Sequence, residues 1–225
     1  MSDILVEATE IGRTYSQGGM PIPALASASF NIHRKDRIAI IGRSGSGKST
    51  LLHLMAGLDI PTMGRLAWPA LGTREQLLPN KIALVFQSPS LIAPLTVAEN
   101  VALPLLMGHS EQDIDAAVSA ALATFELSNL AHKLPEELSG GQMQRVAMAR
   151  AIAGQPSLIL ADEPTGQLDQ ATGRAVLDAL LLHLGGSDTA LVISTHDPAV
   201  AKRMQVIWQM QYGTLSITAK NRGAT

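Results

Sequence analysis

Two kinds of apolar pattern alternate along the chain. Arg37–Ile41 (RIAII), Lys81–Phe86 (KIALVF), Leu158–Ala161 (LILA) and Ala190–Ser194 (ALVIS) are short, nearly unbroken apolar runs, as expected of strands buried on both faces of a sheet. Between them the spacing becomes helical. Ser49–Met55 follows the first run. Ile114, Ala117, Val118, Ala121, Leu122 and Phe125 recur at i, i+3, i+4, i+7, i+8 and i+11, and Val176, Leu177, Leu180, Leu181 and Leu184 share one face before the last run. Strand, helix, strand in this order predicts an α/β fold with a parallel sheet. The first forty residues differ: apolar and polar residues alternate in short pieces broken by Gly18-Gly19, Pro21 and Pro23, which predicts small antiparallel strands and turns.

Composition narrows this picture only slightly. The 225 residues can bury one sizeable domain, or one with an inserted lobe, and 46% hydrophobic against 16% charged residues is globular composition. Seventeen basic and 19 acidic residues are spread evenly for a net charge of −2, so no stripe recommends nucleic acid as a partner. There is no cysteine, which excludes disulfides and thiolate zinc sites and fits a reducing compartment. The start, Met-Ser-Asp-Ile-Leu-Val-Glu, does not read as a secretory leader, and no stretch approaches the ~20 apolar residues of a membrane span. The expectation is a soluble, cytoplasmic protein.

The chemistry sits at the ends of the apolar runs. After Ile41 comes Gly42-Arg43-Ser44-Gly45-Ser46-Gly47-Lys48-Ser49, matching the phosphate-loop pattern GxxxxGK[ST] between a buried strand and a helix. Backbone N–H groups of such a loop turn toward phosphate oxygens, the helix dipole points at them, Lys48 reaches the β and γ oxygens, and Ser49 ligates Mg²⁺. Thr50 is grouped with the loop as a nucleotide contact. The run Leu158–Ala161 delivers two carboxylates at its C-terminal end, where ligands of open α/β sheets collect: Asp162 for Mg²⁺ and Glu163 to polarise a water attacking in line. Leu138-Ser139-Gly140-Gly141-Gln142 precedes a helical pattern (Met143, Val146, Ala147) and predicts a second anion-binding helix N-terminus.

With this last motif the chain resembles the nucleotide-binding subunit of ATP-binding cassette (ABC) transporters over nearly its whole length. The resemblance implies a phosphate-loop NTPase (RecA-like) core of about residues 1–90 and 155–225 that includes an N-terminal antiparallel β subdomain, and an α-helical signature subdomain inserted at about 91–154. It also implies ATP and Mg²⁺ as cofactors and a head-to-tail homodimer in the ATP-bound state, in which the signature of one copy closes over ATP held by the other. Tyr15 matches the aromatic that stacks on adenine. Gln87 resembles the glutamine that contacts Mg²⁺ and the attacking water. Asp169 resembles the loop that crosses the dimer interface, with Gln167 in place of a common asparagine. His196 matches the histidine at the γ-phosphate, and Arg43 stands where many relatives have proline.

Between Gln87 and the signature, the apolar, proline-punctuated segment Ser88–Leu106 is suited to receive a short helix of an integral membrane permease, besides forming the core of a helical lobe. Such a partner would hold the protein peripherally on the cytoplasmic face of the membrane. The segments Phe86–Ser88, Thr96–Leu105 and Ala161–Gly166 resemble the branch serving lipoprotein release, macrolide export and cell-division signalling. The chain departs from that branch between Gly64 and Lys81, where small strands are poorly written. Soluble family members acting in DNA repair or translation are the competing reading, but they usually carry two cassettes, coiled coils or zinc modules for which there is no room. Retention of Lys48, Asp162, Glu163 and His196 together argues against a switch that barely hydrolyses.

Overall fold

A computed structural model describes residues 3–108 and 113–217; Met1-Ser2 of the leader argument and the last part of the tail lie outside the described residues. Nine strands form one sheet among these residues: β1 Ile4–Gln17, β2 Met20–His33, β3 Arg37–Ile41, β4 Met63–Ala67, β5 Ile82–Val85, β6 Leu158–Asp162, β7 Ala190–Thr195, β8 Val206–Gln211 and β9 Thr214–Ile217, in the order β4-β1-β2-β9-β8-β3-β7-β6-β5. The helices are α1 Lys48–Met55, α2 Val97–Met107, α3 Ile114–Thr124, α4 Gly140–Ala153, α5 Gln170–Leu184 and the short α6 Pro198–Ala201.

The four continuous apolar runs are strands β3, β5, β6 and β7, and neighbours among them are parallel. They read as continuous because both faces are covered. Ile38 and Ile40, Leu158 and Leu160, Ala190 and Val192 pack with α1 and the β1-β2 hairpin, whereas Ala39, Ile159, Ala161, Leu191 and Ile193 pack with α2 to α5. The period-two alternation therefore divides one strand's residues between two separate cores.

Two sequence expectations are corrected. The first forty residues hold not several small strands but a hairpin of two 14-residue strands. Pro21 and Pro23 are accommodated because β2 meets β9 only at Ser27, so near its start β2 has a free edge where a missing N–H costs no ladder bond. Nor is Ala190–Ser194, the last apolar run, the last parallel strand: β8 lies between β3 and β9 in mid-sheet, and its buried Val206, Trp208 and Met210 alternate with more accessible residues. In the poorly written stretch, β4 pairs with β1 and the Trp68 indole N–H donates to the Met55 carbonyl at the end of α1 (2.8 Å).

Three helices, α2 to α4, enter the chain between β5 and β6. Thr96 opens α2 with a capping box: its hydroxyl accepts from the Glu99 N–H, and the Glu99 carboxylate accepts from the Thr96 N–H. The loop before it is held by Asn100, fully buried, whose Oδ1 accepts from the Ile92 N–H (2.8 Å) and whose Nδ2 donates to the carbonyls of Ile92, Leu95 and Thr96. Replacing Asn100 by alanine should cost about 2–4 kcal/mol, because it strands buried backbone groups of the 92–96 loop. Urea unfolding measures this; a loss below about 1 kcal/mol would contradict it.

Candidate functional site

The ladder puts the chemistry on one edge. Ile41 pairs with Thr195 and Asp162 pairs with Ser194, so β3, β6 and β7 end level with one another. The phosphate loop, Glu163 and His196 leave the sheet side by side, and Gln87 follows the end of β5. A cleft of 490 Å³ opens there, lined by Ser44, Gly45, Gly47, Lys48, Ser49, Thr50, Gln87, Glu163 and His196, with Ala24 from the hairpin.

The loop's shape is imposed by close backbone approach. Gly47 has φ 103°, and a Cβ there would lie 2.4 Å from the Ala24 carbonyl oxygen; one at Gly42 would lie 2.3 Å from the Met210 carbonyl oxygen. Behind the loop, the turn Tyr212-Gly213 between β8 and β9 braces it: the Gly213 N–H donates to the Ser46 carbonyl (3.1 Å), and the Gly213 carbonyl accepts from the Ala26 N–H (2.7 Å). Gly42, Arg43 and Ser46 line a second cavity on this β8 side, together with Gln209, Gln211 and Tyr212.

Helix α1 begins at Gly47 with no side-chain cap, so its first N–H groups are offered to a ligand. Lys48 is buried, and its ammonium donates to the carbonyls of Gly42 (2.9 Å) and Arg43 (3.2 Å). The Ser46 hydroxyl is buried with no hydrogen-bond partner. An uncapped helix start, a buried cation and backbone turned by glycines fit a polyphosphate. A divalent cation fits only in its company. Among the described residues no group of three or more His, Cys, Asp or Glu could hold a metal, so Ser49, Gln87 and Asp162 would have to be supplemented by phosphate oxygens and water.

Glu163 is the centre of the polar arrangement. Its Oε1 lies 3.8 Å from the Lys48 Nζ, its Oε2 lies 3.2 Å from the His196 Nδ1, and the Gln87 amide donates to Oε2 at 3.5 Å. Its backbone has φ 45°, a left-handed conformation unusual for glutamate, fixed by its N–H donating to both the carbonyl and the hydroxyl of Ser194 (3.1 Å each). The Ser194 hydroxyl in turn donates to the Asp162 carboxylate, which is buried below the cleft. Ser194 escaped the sequence reading; the available signal was one small polar residue closing an apolar strand.

The signature residues Ser139 to Gln142, Asp169 and Tyr15 also lie outside the cleft lining. Ser139 caps α4 in a reciprocal box with Gln142: the Ser139 hydroxyl accepts from the Gln142 N–H (3.2 Å), and the Gln142 Oε1 accepts from the Ser139 N–H (2.8 Å). Gly140 and Gly141 form the first turn, and a Cβ on Gly141 would sit 3.0 Å from Leu168 Cδ2. Asp169 caps α5, accepting from the N–H groups of Ala171 and Thr172 (3.0 Å each); the Thr172 hydroxyl, with these amides, holds its carboxyl below the usual range. Gln167, just before it, donates to the Gln87 carbonyl at 3.4 Å. Tyr15 lies on β1, cross-strand from Ile22 and two residues past the place where β2 meets the phosphate loop through Ala24.

A family profile described as "ABC transporter" matches residues 25–166. The chain is 42% identical over 224 residues to the lipoprotein-releasing system ATP-binding protein LolD of Legionella pneumophila (strain Paris), covering 96% of this chain and 98% of the relative. It is 38% identical to LolD of Xanthomonas campestris pv. campestris (strain 8004), covering 94% and 92%. Among solved structures, the ATP-binding cassette MJ0796, a dimer in a post-hydrolysis state with ADP and Pi, superposes with a TM-score of 0.87 at 37% identity over 97% of this chain and all of that one. CbiO1 of Clostridium perfringens, part of the ABC transporter complex cbiONQ, gives 0.81 at 28% identity, covering 96% and 88%.

The tight approach at Gly47 is directly testable. Gly47→Ala must shift the loop off the Ala24 carbonyl and adopt a positive φ, at a cost of about 2 kcal/mol or more. A lowered melting temperature in nucleotide-free protein is the expected result; an unchanged one would contradict the packing described.

Proposed function

The chain belongs to the ABC transporter family, and from that premise we propose that it binds and hydrolyses ATP as the nucleotide-binding subunit of a membrane complex. The observation carrying this is Glu163, set between Lys48, His196 and Gln87 at the edge where the phosphate loop leaves the sheet. We take residues 1–90 and 155–225 as the nucleotide-binding core with its β subdomain, and 91–154 as the helical signature lobe.

In this reading Gly42 to Thr50 hold the phosphates. Lys48 exchanges its loop carbonyls for phosphate oxygens, and Tyr15 provides a face for the adenine ring. Mg²⁺, held by Ser49, Asp162 and Gln87, would neutralise charge on the phosphates. Glu163 accepts the proton of an attacking water, and His196 and Gln87 orient that carboxylate through its Oε2. Ser139 to Gln142 and Asp169 lie outside the cleft of their own chain. They act in trans, on ATP bound by a second copy, so the ATP-bound state is a homodimer; the dimeric cassette MJ0796 supports this.

The complex has a membrane part. No helix among the described residues is long and apolar enough to cross a membrane, and the relatives named LolD are subunits of a lipoprotein-releasing system. An apolar groove of 310 Å³ lies between β5 and α2, lined by Leu58, Leu78, Phe86, Leu103, Pro104 and Met107 among others. Met107 is 66% and Phe86 37% exposed, a cost in water that a docked helix would remove. We assign this groove to a short helix of an integral permease, which places the chain peripherally on the cytoplasmic face, with export, lipoprotein release or mechanical signalling as the output.

Glu163→Gln should keep ATP binding while lowering turnover at least a hundredfold, about 3 kcal/mol of barrier, and Lys48→Ala should abolish tight ATP binding. Normal turnover in the first or normal affinity in the second would overturn the assignment. Extraction of membranes with mild detergent should bring down an integral membrane protein with the wild-type chain and markedly less with Met107→Glu, both binding ATP equally. Recovery of no membrane protein with the wild-type chain would contradict the proposed complex.

A further inference from the structure

Tyr15 does not stand alone on its strand. Asp59, in the loop that follows α1, gathers four donors: the Tyr15 hydroxyl at 2.7 Å from Oδ2, the Arg13 Nε at 2.9 Å from the same oxygen, the Arg13 NH2 group at 2.8 Å from Oδ1, and the Ile60 N–H at 2.7 Å from Oδ1. The Arg13 guanidinium also lies over the Tyr15 ring, 4.6 Å from its centroid. One ring face is thus covered by a cation that is itself gripped through two nitrogens by a carboxylate, while Tyr15 as a residue stays 38% exposed.

The loop carrying Asp59 is anchored to the helix that begins at the phosphate loop: the N–H groups of Leu58 and Asp59 both donate to the His53 carbonyl in the last turn of α1. On the other side, Thr62 ties this loop to β1, its N–H donating to the Gly12 carbonyl at 2.7 Å. The Asp59 carboxyl is held below the usual range: its partial burial acts upward, but the bonds from Tyr15, Ile60 and Arg13 together outweigh it. The group is therefore a carboxylate at neutral pH, as the fork on Arg13 requires.

We propose that Arg13 and Asp59 are positioning residues for the nucleotide base: they fix the Tyr15 ring, with Arg13 against one face, so that the other face is a preformed stacking platform at a set distance from the phosphate loop. The inference rests on the reading of Tyr15 as the base-binding aromatic. Its chemical content is that a guanidinium behind the ring polarises and immobilises it, lowering the ordering cost when a planar heterocycle docks in front. Neither Arg13 nor Asp59 needs to touch the nucleotide. Phosphate binding, which runs through Lys48 and the uncapped start of α1, is independent of them.

Calorimetric titration of Tyr15→Ala, Asp59→Asn and Arg13→Gln with Mg-ATP and, separately, with inorganic tripolyphosphate plus Mg²⁺ separates these contributions. Each variant should bind ATP about three- to tenfold more weakly, the range of an aromatic or cation–π contact, and tripolyphosphate within twofold of wild type. Asp59→Glu, which keeps the charge, should restore part of the ATP affinity. If Tyr15→Ala leaves ATP affinity unchanged, the base-platform reading itself falls. If Tyr15→Ala weakens ATP but Asp59→Asn and Arg13→Gln do not, that reading stands and the positioning role is refuted. Equal weakening toward ATP and tripolyphosphate would also refute it, since that marks a general structural role. Tripolyphosphate binding also reports that each variant is folded around an intact phosphate loop.

Discussion

Everything at the site depends on one constraint, the register of three parallel strands. Ile41 opposite Thr195 and Asp162 opposite Ser194 make β3, β6 and β7 stop at the same level. A loop and, more than a hundred residues later in the chain, a glutamate and a histidine therefore leave the sheet as neighbours. The register is enforced by burial on both faces: a one-residue slip would exchange Leu160 and Val192, which pack toward α1, with Ala161 and Ile193, which pack toward the helical side. Two cores of different shape hold each strand in place, so the fold brings Lys48, Gln87 and His196 within reach of the Glu163 carboxylate.

On that frame the local backbone is deliberately uncomfortable. Glu163 is left-handed immediately after β6, and Gly47 and Gly42 permit contacts that no side chain would tolerate. Ser194 offsets the first by accepting from the Glu163 N–H twice, through its carbonyl and its hydroxyl, while that hydroxyl donates a hydrogen bond to Asp162. The result is a carboxylate that meets a lysine, a histidine and an amide while remaining at the mouth of a cleft. Such strain persists only where the surroundings over-determine it.

Much of this was legible in the sequence because it is written in contiguous residues. The phosphate loop, the carboxylate pair Asp162-Glu163 and the capping signal Ser139 to Gln142 carry their own spacing, and fully buried strands announce themselves as apolar runs. What stayed hidden depends on partners distant in the chain. The length of the β1-β2 hairpin could not be read because Pro21 and Pro23 are breakers unless the strand edge is free. Strand β8 alternates rather than running apolar, as a less deeply buried strand does. The roles of Ser194, Asn100, Arg13 and Asp59 exist only once the chain has folded: Asp59 lies 46 residues from the Arg13 it grips, and no local pattern connects them.

Ser139 to Gln142 have their own capping box and lie outside the phosphate cleft of their chain, and in the proposed function each working site is assembled from two copies. A mixing experiment tests this most directly. Lys48→Ala and a signature variant, Ser139→Arg, should each be inactive alone. Mixed before ATP addition, half of the dimers combine one of each and carry one intact site of two, so activity should return to about a quarter of wild type by the symmetry of the dimer. Mixtures that stay as inactive as their components would contradict a site shared between copies.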